Sequence, residues 1–188
     1  KYKFDPKTIK LWINILTKIE NSVLWLLDDE NVSTNNLIEE FKFGGLNVSR
    51  IIFSKKLPLD EHLARHRLAD LFLDTFPYGA HTTASDSLWT GLPLITKIGN
   101  TFASRVAASL LKAIDLEELI TTNDEQYINL AIELATNPNK LKIIKNKLNK
   151  NIQTKPLFDT KRYTKNLEMA YTLAYKSYLE NLPTENIE

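Results

Sequence analysis

One segment, residues 71–96, constrains the fold most strongly, because two apolar runs in it are joined by a helical pattern. Leu71–Leu73 is a short apolar run that stops at Asp74, and a second apolar run occupies Leu92–Ile95. A turn-rich stretch and a helical pattern lie between them. Two parallel strands need such a crossover, which is right-handed almost without exception. The segment therefore predicts a strand–loop–helix–strand unit of a parallel sheet.

The same alternation runs through the first two thirds of the chain. The continuous apolar run Val23–Leu27 is typical of a buried parallel strand, and Arg50–Ser54 is the next predicted strand. The helices predicted around them are Lys7–Ile19, Leu37–Phe43, Asp60–Leu68 and Phe102–Leu111. Asp28–Asn36 is polar and predicts a loop. Repeated strands and helices with short connections favour a parallel sheet covered by helices on both faces, and residues 1–122 are expected to form this α/β core.

The last third of the chain changes character and predicts a helical segment over residues 123–188. A short strand at Leu119–Thr121 is the last one expected. The predicted helices are Asp124–Ala135, Asn139–Leu148 and Arg162–Leu182. The final helix carries an apolar stripe at spacings of three to four residues, which favours a packing face over a functional one. Its members are Tyr163, Leu167, Tyr171, Ala174 and Tyr178.

Composition limits the classes of function. A length of 188 residues suits a single domain with a sizeable core. The net charge of +1 lacks the basic excess that is typical of nucleic-acid binders. Without cysteine the chain forms no disulfide and no thiolate metal site. Its apolar runs fall far short of the ~20 residues of a membrane helix, so we expect a cytoplasmic protein with no membrane partner.

Open parallel sheets bind ligands beyond the carboxyl ends of their strands, and three places in this sequence qualify. The loop after Phe53 leads into a helix with His62 and Arg65, which is either a clamp on a nucleotide or a solvated basic face. Spacing alone favours the solvated face. The loop at Gly99–Thr101 fits a ligand contact and a turn with a helix cap equally well.

The third place follows Asp74 and has the most specific pattern. His81, Thr82 and Thr83 stand where a helix is predicted to begin, and Asp86 lies one turn further on. Free N–H groups at a helix N-terminus suit a phosphate, hydroxyls add donors, and an acidic residue commonly holds a ribose. The alternative makes a threonine the helix cap and Asp86 a complement to the helix dipole. The imidazole beside the hydroxyls favours the ligand site.

Several known chemistries leave no trace in the sequence. The three histidines do not form an H-E-x-x-H zinc motif. There is no G-x-G-x-x-G fingerprint, no G-x-x-x-x-G-K-[ST] phosphate loop and no G-x-S-x-G nucleophile elbow. A nucleotide-type ligand bound without these motifs is the remaining expectation.

Several longer segments, in order, identify a family resemblance. LADLFLDTFPYGAHTTASDSLWTGLPLIT, then GNTFASRVAASLL and KPLFDTKRYTKNLE, resemble the carboxyl-terminal catalytic region of O-linked N-acetylglucosamine transferases and SPINDLY-type proteins, glycosyltransferase family 41. Upstream, YKFDPKTIKLWINILTKIENSVLWLL and RIIFSKKLPLDEHLARHRLAD fit as well. The resemblance extends from Tyr2 to about Tyr178, and several motifs in one order are more specific than any single motif.

The resemblance implies the carboxyl-terminal, Rossmann-like half of a GT-B glycosyltransferase, which binds the nucleotide sugar. Lys3 in YKFDP would contact the diphosphate and stabilise the leaving group as the catalytic residue. His62 and Arg65 would line the nucleotide pocket, with Arg65 near the base. The remaining matches are His81, Thr82 and Thr83 at the diphosphate and Asp86 at the ribose. A lysine and a helix dipole supply a positive field, so no metal and no cofactor besides the donor substrate are expected.

The choice of donor stays open. Most of the resemblance implies UDP-GlcNAc as the donor, with GlcNAc transferred to Ser or Thr of proteins and UDP released. Animal members have a lysine that helps bind ribose three residues before the histidine, and Leu59 stands there. SPINDLY-type relatives include protein fucosyltransferases with a guanosine donor. The alternatives are therefore a related transferase with another donor, such as GDP-fucose, or a non-catalytic nucleotide-sugar or protein-binding module.

The resemblance also implies partners outside the 188 residues. In the family an acceptor-side catalytic half and tetratricopeptide repeats precede this region, and they would carry the protein acceptor. The chain alone is accordingly expected to bind nucleotide sugar without turnover. The apolar face of its final helix is expected to be partly exposed where the other half would cover it.

Overall fold

Parallel strands and helices alternate along the computed structural model, which describes residues 3–28 and 32–187. The strands are β1 (Leu24–Leu27), β2 (Ile51–Ser54), β3 (Phe72–Leu73), β4 (Leu94–Lys97) and β5 (Ile120–Thr121). The helices are α1 (Pro6–Lys18), α2 (Val32–Phe43), α3 (Leu59–Arg65), α4 (Thr82–Trp89), α5 (Val106–Ala113), α6 (Asp124–Thr136), α7 (Pro138–Thr154) and α8 (Thr160–Leu179). The predicted α/β class with a helical C-terminal segment is confirmed.

The strands form two parallel groups. β1 pairs with β2 from Leu24 opposite Ile51 onward, and β4 lies between β3 and β5. After β2 the chain turns to the other group, which begins with β3. The buried apolar side chains form two clusters, one beside each group of strands. Leu73 of β3 packs against both clusters, so it lies where the two groups of strands meet. Ligands of open parallel sheets bind in a crevice outside the carboxyl ends of the strands, so a site is expected there.

The prediction fails most clearly at the ends of two helices, α2 and α7. Helix α7 continues to Thr154, six residues past the predicted end at Leu148. Leu37–Phe43 was the expected helix and Asp28–Asn36 the expected loop, but α2 begins at Val32. Residues 29–31 lie outside the described residues. The polar start of α2 has weak helix propensity, yet Leu37 and Phe41 are buried and anchor the helix in the core. Tertiary packing here outweighs local propensity.

Three smaller differences concern the ends or the continuity of elements. The apolar run Leu92–Ile95 predicts the fourth strand two residues too early, because Gly91 adopts a φ of 81° and the residues after it connect α4 to β4. The predicted helix Phe102–Leu111 is a 3-10 turn over Phe102–Ser104 followed by α5. Asp60–Leu68 likewise divides into α3 and a 3-10 turn over His66–Leu68.

The helical C-terminal part completes the core beside β3 and β4. Tyr127 of α6 and Leu148 of α7 are fully buried in the same cluster as Leu94 and Ile95. In contrast α8 contributes no buried residue, and the ring-bearing side chains of Tyr163 and Tyr178 are 67% and 76% exposed. The stripe on α8 is thus exposed as expected, and it is not a packing face within the described chain. No described helix combines the length and the apolar character that crossing a membrane requires.

Candidate functional site

Helix α4 begins one loop after β3, at the carboxyl edge of the sheet. His81 occupies the position before its first turn, and no side chain caps the helix there. Thr82 and Thr83 are the first two helical residues and are exposed. The N–H groups of Ala84 and Ser85 already donate to the carbonyl of His81, at 3.1 Å each. His81, and neither threonine, therefore occupies the cap position, so the cap alternative for the threonines is wrong. The N–H groups of the first turn lie at the N-terminal end of the helix, which is the positive end of its dipole.

Lys3 lies against the loop that leads into α4. Its Nζ donates to the carbonyl of Gly79 at 2.9 Å and lies 4.4 Å from the centre of the Tyr78 ring. The Tyr78 ring in turn stacks on the His81 imidazole, with 5.1 Å between centroids and 20° between planes. Burial lowers the pKa of the Lys3 ammonium, and the charge of Asp74 opposes that effect. The structure thus brings Lys3 and His81 together at the loop before α4, although 78 positions separate them in the sequence.

The His81 ring is held at its other edge by the segment after β4. Its Nε2 lies 3.3 Å from the carbonyl of Ala103, and the Phe102 ring meets it edge-on at 5.9 Å. Phe102 is 80% exposed and so lines the open side of the site. Neither Phe102 nor Tyr78 was a predicted site residue, because exposed aromatic side chains give no periodic signal in a sequence.

Asp74 organises the loop from below. Its side chain is 1% exposed and accepts hydrogen bonds from the Thr75 and Ala80 N–H groups and from the Thr96 hydroxyl. Burial raises the pKa of this carboxyl, and the three donors and Lys3 oppose the rise. Its position directly after an apolar run was visible in the sequence, but an aspartate that ends a strand is common in loops and gave no specific signal.

Helix α3 carries the second pair of predicted residues. Arg65 donates through Nε and Nη2 to Nδ1 of His62, at 3.1 and 2.7 Å, and through Nη1 to the Lys55 carbonyl at 2.8 Å. Its guanidinium also lies 5.6 Å from the centre of the Trp25 ring. These contacts tie α3 to β1 and to the residue after β2. The two side chains are half-buried and hydrogen-bonded, so they are not the freely solvated face that spacing alone favoured.

The histidines His62 of α3 and His66 of the following 3-10 turn face the end of α4. Their rings meet edge to face, with 4.6 Å between centroids, and Nδ1 of His66 lies 3.3 Å from the hydroxyl of Thr90, the residue after α4. Burial lowers the pKa of both imidazoles, and Asp86 opposes that effect on each. Hence the 3-10 turn after α3 meets the end of α4 through His66 and Thr90, and the negative charge of Asp86 acts on both imidazoles.

The loop after β4 resolves the remaining alternative. Thr101 and Ser104 cap each other reciprocally, and the Gly99 N–H donates to the Ser104 carbonyl at 3.1 Å. A turn with a cap therefore accounts for the polar residues of Gly99–Thr101. Among residues 3–28 and 32–187, no three His, Asp or Glu side chains are grouped as metal ligands would be.

The comparison with family models decides the family. The model described as glycosyl transferase family 41 matches residues 1–167, which is most of the chain. The chain belongs to glycosyltransferase family 41. The expected family is thereby confirmed.

Named relatives of this family 41 chain are protein glycosyltransferases. It is 36% identical over 186 residues to the UDP-N-acetylglucosamine–peptide N-acetylglucosaminyltransferase of Caenorhabditis elegans, over 99% of the chain and 16% of the relative. It is 39% identical over 171 residues to a probable enzyme of the same description in Arabidopsis thaliana, over 90% and 18%. A probable SPINDLY enzyme of Solanum lycopersicum is 31% identical, over 95% and 20%. The family 41 chain thus spans less than a quarter of these relatives.

A solved structure supports the fold assignment. The O-GlcNAc transferase of Thermobaculum terrenum, in a lysine-to-methionine mutant, superposes with a TM-score of 0.84 at 29% identity. The match covers 90% of the family 41 chain and 33% of that protein. The predicted architecture, one Rossmann-like part of a larger transferase fold, is confirmed. The individual site assignments stay predictions.

Proposed function

We propose that this chain is the donor-binding half of a protein O-glycosyltransferase that moves N-acetylglucosamine from UDP-GlcNAc to Ser or Thr of proteins. The observation that carries the proposal is the uncapped N-terminus of α4 with Lys3 and His81 placed on the loop before it. The printed functions of the relatives, peptide N-acetylglucosaminyltransferases, supply the donor and the acceptor class.

The chemistry assigned to this chain is stabilisation of the leaving group. In transfer, the bond between the sugar C1 and the β-phosphate oxygen breaks, and its electron pair goes to that oxygen. The acceptor hydroxyl oxygen bonds to C1 and loses its proton, which the departing diphosphate or solvent takes up. Negative charge grows on the departing diphosphate. Fixed N–H groups of Thr82 and Thr83, their hydroxyls and the Lys3 ammonium are donors aimed at such charge without reorganisation. The proposal needs no metal for this step.

The nucleoside would lie on the α3 side of the crevice. Asp86 is the proposed acceptor for ribose hydroxyls, since a carboxylate only accepts when ionised. His62 and Arg65 are proposed to line the base. Lys3, His81, Thr82 and Thr83 are proposed for the diphosphate on the other side of α4. A cytoplasmic location and a protein acceptor held by other parts of a longer enzyme belong to the same proposal.

A titration of the 188-residue chain tests the proposal. We expect UDP and UDP-GlcNAc to bind measurably by calorimetry and GDP and GDP-fucose to bind more weakly. Lys3→Ala is expected to lower the affinity for UDP by about tenfold, equivalent to ~1.4 kcal/mol. Lys10→Ala is the matched control, because Lys10 is an exposed lysine of α1 away from the loop. Tighter binding of GDP would favour the fucosyl donor, and no binding of any nucleotide would favour the interaction module.

A further inference from the structure

The loop between β3 and α4 closes around one buried carboxylate. Oδ1 of Asp74 accepts from the Thr75 N–H at 2.8 Å, at the start of the loop, and from the Ala80 N–H at 2.6 Å, at its end. Oδ2 accepts from the Thr96 hydroxyl at 2.6 Å, which comes from β4. Three donors from the loop and the sheet therefore converge on a single side chain, which is buried.

The backbone of Asp74 is fixed as firmly as its side chain. Its N–H donates to the Ile95 carbonyl at 3.1 Å, and its carbonyl accepts from the Tyr127 hydroxyl at 2.9 Å. The Gly79 backbone packs directly on the carboxylate, since a Cβ there would stand 3.1 Å from Oδ2. The backbone of Asp74 is thus anchored to the sheet, and its carboxylate holds the backbone of the following loop in place.

The loop carries residues of the proposed diphosphate site. The Gly79 carbonyl holds the Lys3 ammonium at 2.9 Å, and the Tyr78 ring contacts both Lys3 and His81. Ala80 directly precedes His81, which stands at the start of α4. Movement of the loop would therefore move a cation, an imidazole and a helix N-terminus together.

We propose that Asp74 is a positioning residue for donor binding, which acts through the loop of residues 75–80 to place Lys3 and the first turn of α4 at the diphosphate. It does not touch the donor, because its three acceptor contacts fill the loop interior. The inference rests on the proposed function. It assigns a role to Asp74, which was not among the predicted site residues. A carboxylate suits this task, since it accepts from all three partners and its charge attracts the Lys3 ammonium, whereas an amide would lose that charge and reverse the Thr96 hydrogen bond.

The test compares two ligands that share the nucleoside and differ in the diphosphate. The 188-residue chain is titrated with UDP and with uridine by NMR, as wild type and as Asp74→Asn, Thr96→Val and Asp70→Asn. We expect Asp74→Asn to weaken UDP by about tenfold or more and Thr96→Val by about threefold, with uridine within about twofold in both. Asp70→Asn is the matched control, because Asp70 is an exposed carboxylate whose side chain pairs with Lys145.

Each result has one meaning. Selective loss of UDP affinity supports the positioning role, because a general loss of structure would weaken both ligands. Equal loss of UDP and uridine, or unchanged UDP binding in a folded Asp74→Asn chain, would overturn it. Thr96→Val keeps the shape of the side chain and the charge of Asp74, so it answers the question if Asp74→Asn does not fold. Failure of the wild-type chain to bind UDP would instead count against the proposed function.

Discussion

Arg65 determines which nitrogen of His62 carries the proton. The guanidinium is always protonated and has no acceptor, so its contacts at 3.1 and 2.7 Å require a lone pair on Nδ1. The neutral His62 ring then carries its hydrogen on Nε2. Burial and the charge of Arg65 lower the pKa of His62, which favours this neutral form. His62 is therefore prepared to donate one hydrogen bond from Nε2.

The first prediction is a single tautomer of His62 in the wild-type chain. The ¹⁵N shifts of the ring should report a bare Nδ1 and a protonated Nε2 near neutral pH. In Arg65→Ala the preference should weaken toward the mixture of an isolated imidazole, with a loss of about tenfold in UDP affinity. Arg67→Ala, which removes an exposed arginine of the same segment, is the control. A hydrogen on Nδ1 in the wild type would contradict the assigned geometry.

The second prediction concerns acid sensitivity. The pKa values of His62 and His66 are lowered in the folded chain, so the unfolded chain takes up protons first as the pH falls below about 6.5. The free energy of unfolding should then decrease with falling pH until the folded pKa values are passed. Urea unfolding at several pH values between about 7.5 and 5 measures the slope. His66→Asn should give a shallower slope over that interval, and an identical slope would remove His66 as a contributor.

The fold was predictable where local pattern and packing agree. Apolar segments located the five strands, because parallel strands are rich in apolar residues even where a side chain is exposed, as at Leu27 (49%) and Ile52 (43%). The start of α2 was not predictable, since its helical state depends on the burial of Phe41 in the core. Lys97 extends β4 beyond the apolar run, where its ammonium contacts Asp124 at 2.5 Å and lies over the Phe76 ring. Contacts made through space leave no mark in a one-dimensional pattern.

The site was predictable to a different degree. Motif resemblance selected Lys3, although it lies 76 positions from its acceptor Gly79 and no periodic pattern connects the two. The histidine of α3 was judged by spacing to lie on a solvated face, because its partner Arg65 follows at the ordinary helical interval. Asp74 was missed because its importance comes from the three donors that converge on it. The sequence indicates which residue types could bind a ligand here, whereas the three hydrogen bonds that meet at Asp74 are visible only in the structure.

The third prediction tests the first turn of α4. Thr83→Ala removes an exposed hydroxyl from the proposed diphosphate place and leaves a good helix former in its position. We expect UDP affinity to fall by about three- to tenfold with little change in stability. Thr136→Ala is the control, because its hydroxyl donates to the Ile132 carbonyl within α6 and lies far along the chain. Calorimetry gives the affinities, and equal values for both variants would argue against a role for Thr83.

The fourth prediction separates the core from the exposed helix α8. Tyr127→Phe removes the hydroxyl that donates to the Asp74 carbonyl and leaves that buried acceptor short of a partner. The cost in unfolding free energy is expected to be about 1 kcal/mol. Tyr175 of α8 is 63% exposed, so Tyr175→Phe should change stability by less than about 0.5 kcal/mol. Urea unfolding of both variants gives the comparison, and a large effect at Tyr175 would mean that α8 is covered in solution.

The last prediction addresses the donor through Leu59. This leucine begins α3 and is 66% exposed, so a lysine fits there without disturbing the core. The resemblance to animal members of the family implies a ribose-binding lysine at this position. Leu59→Lys should therefore raise the affinity for UDP and for uridine, by about three- to tenfold for a new hydrogen bond to a charged donor.

A second lysine variant distinguishes a ribose contact from general attraction. Leu68 is 80% exposed at the far end of the segment that starts with Leu59, so Leu68→Lys adds the same charge away from the ribose. General electrostatic attraction would raise the affinity for UDP in both variants. That gain would decline with increasing salt concentration, because exposed charges are screened. A gain for uridine, which carries no phosphate, is expected in Leu59→Lys alone. If uridine binding does not change there, the ribose lies elsewhere in the crevice, and Asp86 loses its proposed partner.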